Sequence, residues 1–140
     1  RDRYGVMDIV YGSRSMQDLV DYREIVDEWT ADTDVHVHLT IDREQPEWQG
    51  HVGFVPNYVG ELGFTTDKVA IICGPPIMIK FTLAGLEKLG FNKTQIYTTM
   101  ELRMKCGIGK CGRCNIGSKY VCKDGPVFRM DALEELPAEY

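Results

Sequence analysis

Apolar residues recur along the first hundred positions in two alternating patterns. Short runs of apolar and β-branched residues predict strands, and apolar residues spaced three or four apart predict the helices between them. The predicted strands cover residues 6–11, 35–41, 68–73 and 95–99. Because parallel strands need a crossover that is usually a helix, this order predicts an α/β fold whose parallel sheet is covered on both faces.

The first predicted helix follows the first strand. Ser13 or Ser15 is expected to cap it. Its apolar face consists of Leu19, Tyr22, Val26 and Trp29. Residues 42–50 are polar and predict a loop, and residues 131–136 predict one short terminal helix.

Two further helices are predicted with clear ends. One covers residues 55–62 and ends at Gly63. The other covers residues 77–89, with Pro76 suited to its first turn and Gly90 to its end.

The composition fits one packed domain. The 140 residues are 44% hydrophobic and carry 21 acidic against 16 basic side chains, a net charge of −5. That balance gives no general attraction to phosphate backbones, so we expect no nucleic-acid partner. The apolar runs are too short to cross a bilayer, so we also expect no membrane span.

Five cysteines are present, and four of them lie close together in a glycine-rich segment, while Cys73 stands apart. Closely spaced cysteines in a chain without a secretory signal are typical of metal ligands in a reducing compartment rather than of disulfides. We therefore expect a cytoplasmic protein that binds metal through these thiolates.

The clustered cysteines follow the pattern Cys106-x4-Cys111-x2-Cys114-x7-Cys122. A C-x4-C-x2-C run with a separate fourth cysteine is the ligand pattern of plant-type [2Fe–2S] centres. Four cysteines also suit a structural zinc site, but zinc ribbons present two paired CxxC knuckles and this segment has only one. The spacing favours the iron–sulfur interpretation.

The residues between the cysteines support an anionic cluster. Three glycines separate the first three cysteines, namely Gly107, Gly109 and Gly112. They permit the unusual backbone angles with which amide N–H groups approach the sulfurs. Three cations flank the same cysteines, namely Lys105, Lys110 and Arg113. Their charge is expected to raise the reduction potential of the cluster.

His36 and His38 share one face of the strand predicted at residues 35–41. Two histidines with no acidic or cysteine partner nearby are more often ordinary polar residues than metal ligands. We assign them no role.

Residues 104–114 (MKCGIGKCGRC) and 120–128 (YVCKDGPVF) carry a family signature. They closely resemble the C-terminal iron–sulfur arm of the gamma, or NAD(P)H-linked, subunits of cytoplasmic nickel–iron hydrogenases. One subunit of anaerobic sulfite reductase and the electron-transfer subunit of dihydroorotate dehydrogenase have similar arms. The interval from Cys114 to Cys122 looks short for the dihydroorotate protein, which favours the hydrogenase-type subunit.

Residues 11–15 (YGSRS) follow a predicted strand and resemble a nucleotide-binding motif of the ferredoxin–NADP reductase superfamily. Residues 48–53 (WQGHVG) resemble a loop of the same superfamily. The resemblance implies that Gly12, Ser13 and Arg14 approach the ribose and phosphates of NAD(P)H, with Arg14 as the cation.

Residues 73–78 (CGPPIM) resemble a later nucleotide-binding motif of that superfamily, at the carboxyl end of a strand, where open α/β sheets bind ligands. The resemblance puts Cys73 and Gly74 beside the nicotinamide. The cofactor-binding residues that it assigns here are Cys73, Gly74, Pro75, Pro76 and Met78. Without the Gly-Pro-Pro sequence, Cys73 would be interpreted as a small buried side chain.

The resemblance implies an NAD(P)H-linked flavin and iron–sulfur oxidoreductase subunit. NAD(P)H delivers a hydride to FAD, and FAD passes single electrons to the [2Fe–2S] centre and on to the other redox subunits of a hydrogenase-like complex. No general base, and so no catalytic side chain, is required of the protein.

The first βα unit of the superfamily and its FAD-binding β-barrel would precede Arg1. The sequence is therefore interpreted as a fragment that is inactive in hydride transfer by itself. The expected domains are a partial NAD(P)-binding domain at residues 1–99, a cluster-binding arm at residues 100–128 and a tail at residues 129–140.

Two other functions stay open. A dihydroorotate dehydrogenase electron-transfer subunit would use the same cofactors with a different partner. A binding or assembly module, in which the four thiolates hold a structural zinc, would have no redox role.

Overall fold

The computed structural model describes residues 5–100 and 104–133. The chain divides into two compact units between Leu62 and Gly63, rather than forming the single core that its length suggests. Each unit is built on its own three-stranded sheet. Among the described residues, no helix has the length and apolar character needed to cross a membrane.

The sheet of the first unit is parallel and has the order β1–β2–β3. Its strands are β1 at Met7–Ser13, β2 at Val35–Ile41 and β3 at His51–Val52. β1 pairs with β2 along its whole length, whereas β3 pairs only with the last two residues of β2. The sequence predicts β1 and β2 but not β3, because two residues are too few to show an alternation.

The connection from β1 to β2 differs from the single helix predicted there. It contains a 3₁₀ turn at Met16–Asp18, α1 at Tyr22–Glu24 and a π-helical turn at Ile25–Trp29. Leu19 and Ile25 are buried, whereas Val26 and Trp29, predicted on the apolar face, are exposed. A π turn departs from the period of 3.6 residues, so the periodicity assigned the wrong residues to the core.

Helix α2 closes the first unit as predicted. It covers Val55–Leu62, and Val59 is its buried residue. Gly63 follows with φ +61°, the left-handed conformation that glycine adopts readily at the end of a helix.

The sheet of the second unit is mixed and has the order β4–β5–β8. Its strands are β4 at Ala70–Ile72, β5 at Ile96–Thr99 and β8 at Val127–Arg129. β4 and β5 are parallel, as predicted, and β8 adds an unpredicted antiparallel strand beside β5. Helix α3 covers Pro76–Lys88, one residue earlier at each end than the predicted 77–89, with Pro76 in its first turn as predicted and Gly90 beyond its end with φ +93°.

The cluster-binding arm folds around a small core of its own. Its elements are β6 at Asn115–Ile116, β7 at Lys119–Tyr120 and α4 at Val121–Asp124. Its buried side chains are Cys114, Ile116, Val121 and Phe128. Helix α5 at Met130–Leu133 follows β8 and packs Leu133 against this core. Residues 134–136 of the predicted terminal helix lie outside the described residues.

Candidate functional site

The predicted metal ligands come together as two pairs of thiols. The thiol of Cys111 hydrogen-bonds with that of Cys106, and the thiol of Cys114 hydrogen-bonds with that of Cys122. Cys114 is buried, whereas Cys111 is exposed. All five cysteines of the chain, Cys73 included, are free thiols.

Backbone N–H groups point at two of these sulfurs. Sγ of Cys106 accepts hydrogen bonds from the N–H groups of Lys110 at 3.3 Å and Cys111 at 3.4 Å. Sγ of Cys114 accepts one from the N–H of Cys122 at 3.5 Å. Amides directed at sulfur stabilise negative charge on a thiolate and on a cluster that it binds.

These contacts shift the pKa values of two thiols in opposite directions. The pKa of Cys106 is lowered to about 6, first by a hydrogen bond from the N–H of Ile108 and then by those from Cys111 and Lys110. The pKa of Cys122 is raised, first by its hydrogen bond with the Cys114 thiol and then by desolvation. The amides around Cys106 therefore favour its thiolate, the form that binds metal.

The glycines of the arm adopt the backbone conformation for which they were singled out. Gly107, Gly109 and Gly112 have φ values of +71°, +73° and +71°. A residue with a Cβ atom is strained there. The backbone that brings the amides to the sulfurs therefore depends on glycine.

The donor set fits a dinuclear iron–sulfur cluster. The two pairs of thiols would supply the four thiolates that such a cluster requires, and the amides described above point at the sulfurs. Within residues 5–100 and 104–133, no group of three or more His, Cys, Asp or Glu side chains is arranged to hold a metal ion.

The first predicted nucleotide element lies at the carboxyl end of β1. A Cβ atom on Gly12 would overlap Cγ2 of Val55 and lie 3.1 Å from Cγ2 of Thr40, so only glycine fits. Arg14 follows β1 directly and is exposed.

Ser15 occupies the N-cap position of the 3₁₀ turn at Met16–Asp18, but neither serine hydroxyl makes the predicted capping hydrogen bond to a backbone N–H. The Ser13 hydroxyl donates to the Ser15 carbonyl at 2.6 Å. The Ser15 hydroxyl donates to the Asp18 carboxylate at 2.7 Å. The carbonyl of Ser13 accepts the N–H of Asp42 at 3.0 Å, which ties the turn to the end of β2.

The loop at residues 48–53 is held by its tryptophan. Nε1 of Trp48 donates to the carbonyl of His51 at 2.8 Å, and the Trp48 ring occupies the position that a Cβ atom on Gly50 would need. The His51 ring stacks on Tyr58 with centroids 3.7 Å apart, a contact that the sequence did not reveal.

The second predicted nucleotide element lies at the carboxyl end of β4. Cys73 is exposed, which rules out its interpretation as a small buried side chain. Gly74 has φ +157°, and Cε of Met78 would lie 2.5 Å from a Cβ atom placed on it. Pro75 and Pro76 then lead into α3, whose first residue is Pro76. The motif is one continuous turn, with Met78 folded back over the glycine.

One expectation about the histidines is wrong. Asp8 on β1 lies opposite His36 on β2, and its Oδ1 atom lies 3.3 Å from Nδ1 of His36 and 3.1 Å from Nε2 of His38. Both histidines therefore have an acidic partner, which strand pairing brings from 28 and 30 residues away.

Comparison with known proteins defines the class to which this fold and site belong. Residues 1–84 match the family model described as the oxidoreductase NAD-binding domain. Residues 101–134 match the one described as the iron–sulfur cluster binding domain of dihydroorotate dehydrogenase B. The chain belongs to the oxidoreductase NAD-binding domain family, and its cysteine arm matches the iron–sulfur domain.

The particular relatives are subunits of redox enzymes. The chain is 37% identical to the sulfhydrogenase 1 subunit gamma of Pyrococcus furiosus, over 91% of this chain and 46% of that protein. It is 35% identical to the probable dihydroorotate dehydrogenase B (NAD(+)) electron transfer subunit of Thermococcus kodakarensis, over 94% of this chain and 50% of that protein. The predicted family resemblance is confirmed. The chain spans about half the length of these relatives.

A solved structure supports the same fold. An NADH-dependent reduced ferredoxin–NADP oxidoreductase, from a study of flavin-based electron bifurcation, is 27% identical, with a TM-score of 0.63. The alignment covers 96% of this chain and 48% of that one. The predicted fold class, a ferredoxin–NADP reductase type of nucleotide domain with a cysteine-rich arm, is confirmed.

Proposed function

We propose that this chain is the nucleotide- and cluster-binding part of an electron-transfer subunit. The subunit passes electrons between NAD(P)H, FAD and a [2Fe–2S] cluster and on to partner redox subunits of a hydrogenase-type complex. The arrangement of four thiols as two pairs, with backbone amides directed at the sulfurs, carries this proposal. The similarity to a sulfhydrogenase gamma subunit supports the choice of complex.

The cofactors divide the chemistry between them. A flavin takes two electrons together and releases them singly, and a bound [2Fe–2S] cluster carries one at a time. In the ferredoxin–NADP reductase superfamily, FAD contacts come mainly from a β-barrel that precedes the nucleotide domain.

The residues of this chain hold and orient these groups. Cys106, Cys111, Cys114 and Cys122 would ligate the irons. The N–H groups of Lys110, Cys111 and Cys122 already donate to the ligand sulfurs and would stabilise the added electron.

The nucleotide would meet two turns. Gly12, Ser13 and Arg14 would receive the ribose and phosphates, because Gly12 leaves room for close approach and Arg14 supplies an exposed cation. The turn at residues 73–78 would form the wall beside the nicotinamide, since it lies at the carboxyl end of a parallel strand.

We further propose that residues 1–99 serve the nucleotide, residues 100–128 the cluster, and residues 129–140 form a tail. Free thiols poised for metal are typical of a reducing compartment, and on that ground we place the protein in the cytoplasm.

The cluster is tested by spectroscopy of the full chain, purified without oxygen and supplied with iron and sulfide. We expect absorption bands near about 420 and 460 nm that bleach with dithionite, and about two irons per chain. Cys122→Ser is expected to lose the bands and Cys73→Ser to keep them. A colourless protein that binds zinc would overturn the proposed function and favour an assembly module.

The choice of partner is tested separately. The similarity to dihydroorotate dehydrogenase B electron transfer subunits makes that complex the second candidate. Affinity purification of the protein from its own cells distinguishes the two. Copurification of a hydrogenase subunit supports the proposal, and copurification of a dihydroorotate dehydrogenase contradicts it.

A further inference from the structure

The cluster-binding arm carries a charge opposite to that of the rest of the chain. From Met104 to Lys123 the sequence has five cations and no acidic residue, although the whole chain carries −5. The other residues therefore carry a net charge of −10. The five cations are Lys105, Lys110, Arg113, Lys119 and Lys123.

The charge of these cations is available to a partner. Lys119 is half-buried and the other four are exposed. Within the described part of the chain, none of the five forms an ion pair.

The cations lie close to the ligand thiols. Lys110 donates its own N–H to Sγ of Cys106. The side chain of Lys123 packs over Gly109, with its Cδ atom 3.4 Å from the position of a glycine Cβ. The N–H of Gly109 in turn donates to the thiol of Cys122. The backbone of Lys110 therefore lies beside Cys106, and the side chain of Lys123 lies against the loop that carries the cysteines.

An exposed apolar side chain lies among these charges. Ile108 is 62% exposed. On one side of it the loop is open, because no heavy atom lies within 4 Å of a Cβ position on Gly107, whereas Lys123 and Tyr120 lie against Gly109 on the other side. An exposed apolar residue in a segment whose charged residues are all cations has the composition of a small docking surface with a polar rim.

We propose that this surface, Ile108 and the five cations, which we call the cationic collar, docks an acidic face of a one-electron redox protein. The proposal deepens the proposed function and rests on it, because the arm needs a redox partner only if its thiols hold a cluster. Opposite charges speed the encounter and select the partner, and Ile108 supplies the contact that excludes water. Docking at the collar would bring the redox centre of the partner close to the bound cluster, which shortens the distance for electron transfer.

The charge distribution favours a protein over a nucleic acid. A long polyanion would extend beyond the arm, and the rest of the same unit, residues 63–103 and 124–140, carries a net charge of −2 and does not continue the positive charge. An acidic patch on a protein can match the arm alone. A second copy of this chain also offers acidic surface and is the main competitor.

The test measures binding to the full chain with its cluster. The probes are an acidic plant-type ferredoxin and a basic cytochrome c, each titrated calorimetrically at about 20 mM and about 300 mM salt. The collar variant is Lys110→Gln with Lys123→Gln. The matched control is Lys80→Gln with Lys88→Gln, two exposed lysines of α3. A charge-conserving variant, Lys110→Arg with Lys123→Arg, completes the set.

We expect the ferredoxin to bind at low salt, with a Kd that rises about tenfold in the collar variant and stays within about twofold in the other two. High salt should remove the difference, and cytochrome c should not bind. A collar variant that binds ferredoxin as the wild type does would overturn the proposal. So would tighter binding of duplex DNA, or salt-sensitive dimers of this chain that the collar variant abolishes. The absorption of the same samples reports the cluster separately, so failure to dock with the cluster present contradicts the docking alone.

Discussion

The backbone N–H of Cys111 donates a hydrogen bond of 3.4 Å to the sulfur of Cys106. The N–H groups of Ile108 and Lys110 converge on the same sulfur, and together these donors lower the pKa of Cys106 to about 6. The loop between the first two cysteines thus stabilises a thiolate mainly through its backbone, with a smaller contribution from the Cys111 thiol, so side-chain changes at Ile108 and Lys110 leave most of the effect in place.

Cys106 is therefore expected to be more reactive than Cys122 in the metal-free chain at neutral pH. Only the thiolate attacks iodoacetamide, so labelling rises with pH through the pKa of each thiol. The midpoint for Cys106 should lie near pH 6. Cys122, whose pKa is raised, should label at distinctly higher pH. Mass spectrometry of the labelled peptides across the pH range measures both, and earlier labelling of Cys122 would contradict the hydrogen-bond pattern.

Gly112→Ala is expected to impair cluster assembly without a steric clash. The space around its Cβ position is open, but φ is +71°, which costs a non-glycine residue about 1–2 kcal/mol. Asparagine tolerates this conformation better, so Gly112→Asn should retain more cluster. Iron content after reconstitution is the measurement. Equal iron in the two variants would show that the loop can change its backbone freely.

Removing a single methylene group from the core of the arm should lower the stability of the protein measurably. Ile116 is fully buried, and Ile116→Val should lower the free energy of unfolding by about 1 kcal/mol. The same substitution at Ile108, which is 62% exposed, should change it by less than about 0.5 kcal/mol. Urea denaturation of both variants provides the comparison. Similar losses would mean that Ile108 is covered in solution.

Gly12→Ala should destabilise the first unit and weaken nucleotide binding together. The added methyl group would overlap Cγ2 of Val55, a stiff β-branched side chain, and overpacking of this kind costs about 2 kcal/mol. Gly60→Ala on α2 is the matched control, since its Cβ position is open and alanine favours a helix by about 0.5–1 kcal/mol. Thermal unfolding and NADH titration follow the two effects. A Gly12→Ala chain as stable as wild type would contradict the close approach.

The sequence predicted the elements in which one pattern persists for several residues. β2 and α2 have the predicted bounds, and α3 begins at its proline. The spacing of the cysteines also predicted an iron–sulfur arm, which the family match over residues 101–134 supports, because a cluster imposes a fixed order of donors on the chain. These features depend on local sequence alone.

The features that the sequence did not reveal depend on contacts between distant residues or on very short elements. Asp8 reaches His38 only through the register of β1 against β2, which no local pattern specifies. β8 has three residues and is recognised as a strand only by its pairing with β5. The π turn at Ile25–Trp29 shifted the buried positions of a helix that otherwise shows ordinary periodicity.

The antiparallel pairing of β5 with β8 sets Thr99 opposite Val127, and the N–H of Met100 donates to the carbonyl of Pro126 at 2.9 Å. The strand that leads into the arm and the strand that follows it are thus neighbouring strands of one β-hairpin, and the Cα atoms of paired residues are about 5 Å apart. The cluster-binding arm is therefore the loop of this hairpin, and it contains β6, β7 and α4. Because Phe128 of β8 belongs to the core of this loop and Met100 and Leu133 pack against that core, the fold of the loop is tied to the strands from which it projects.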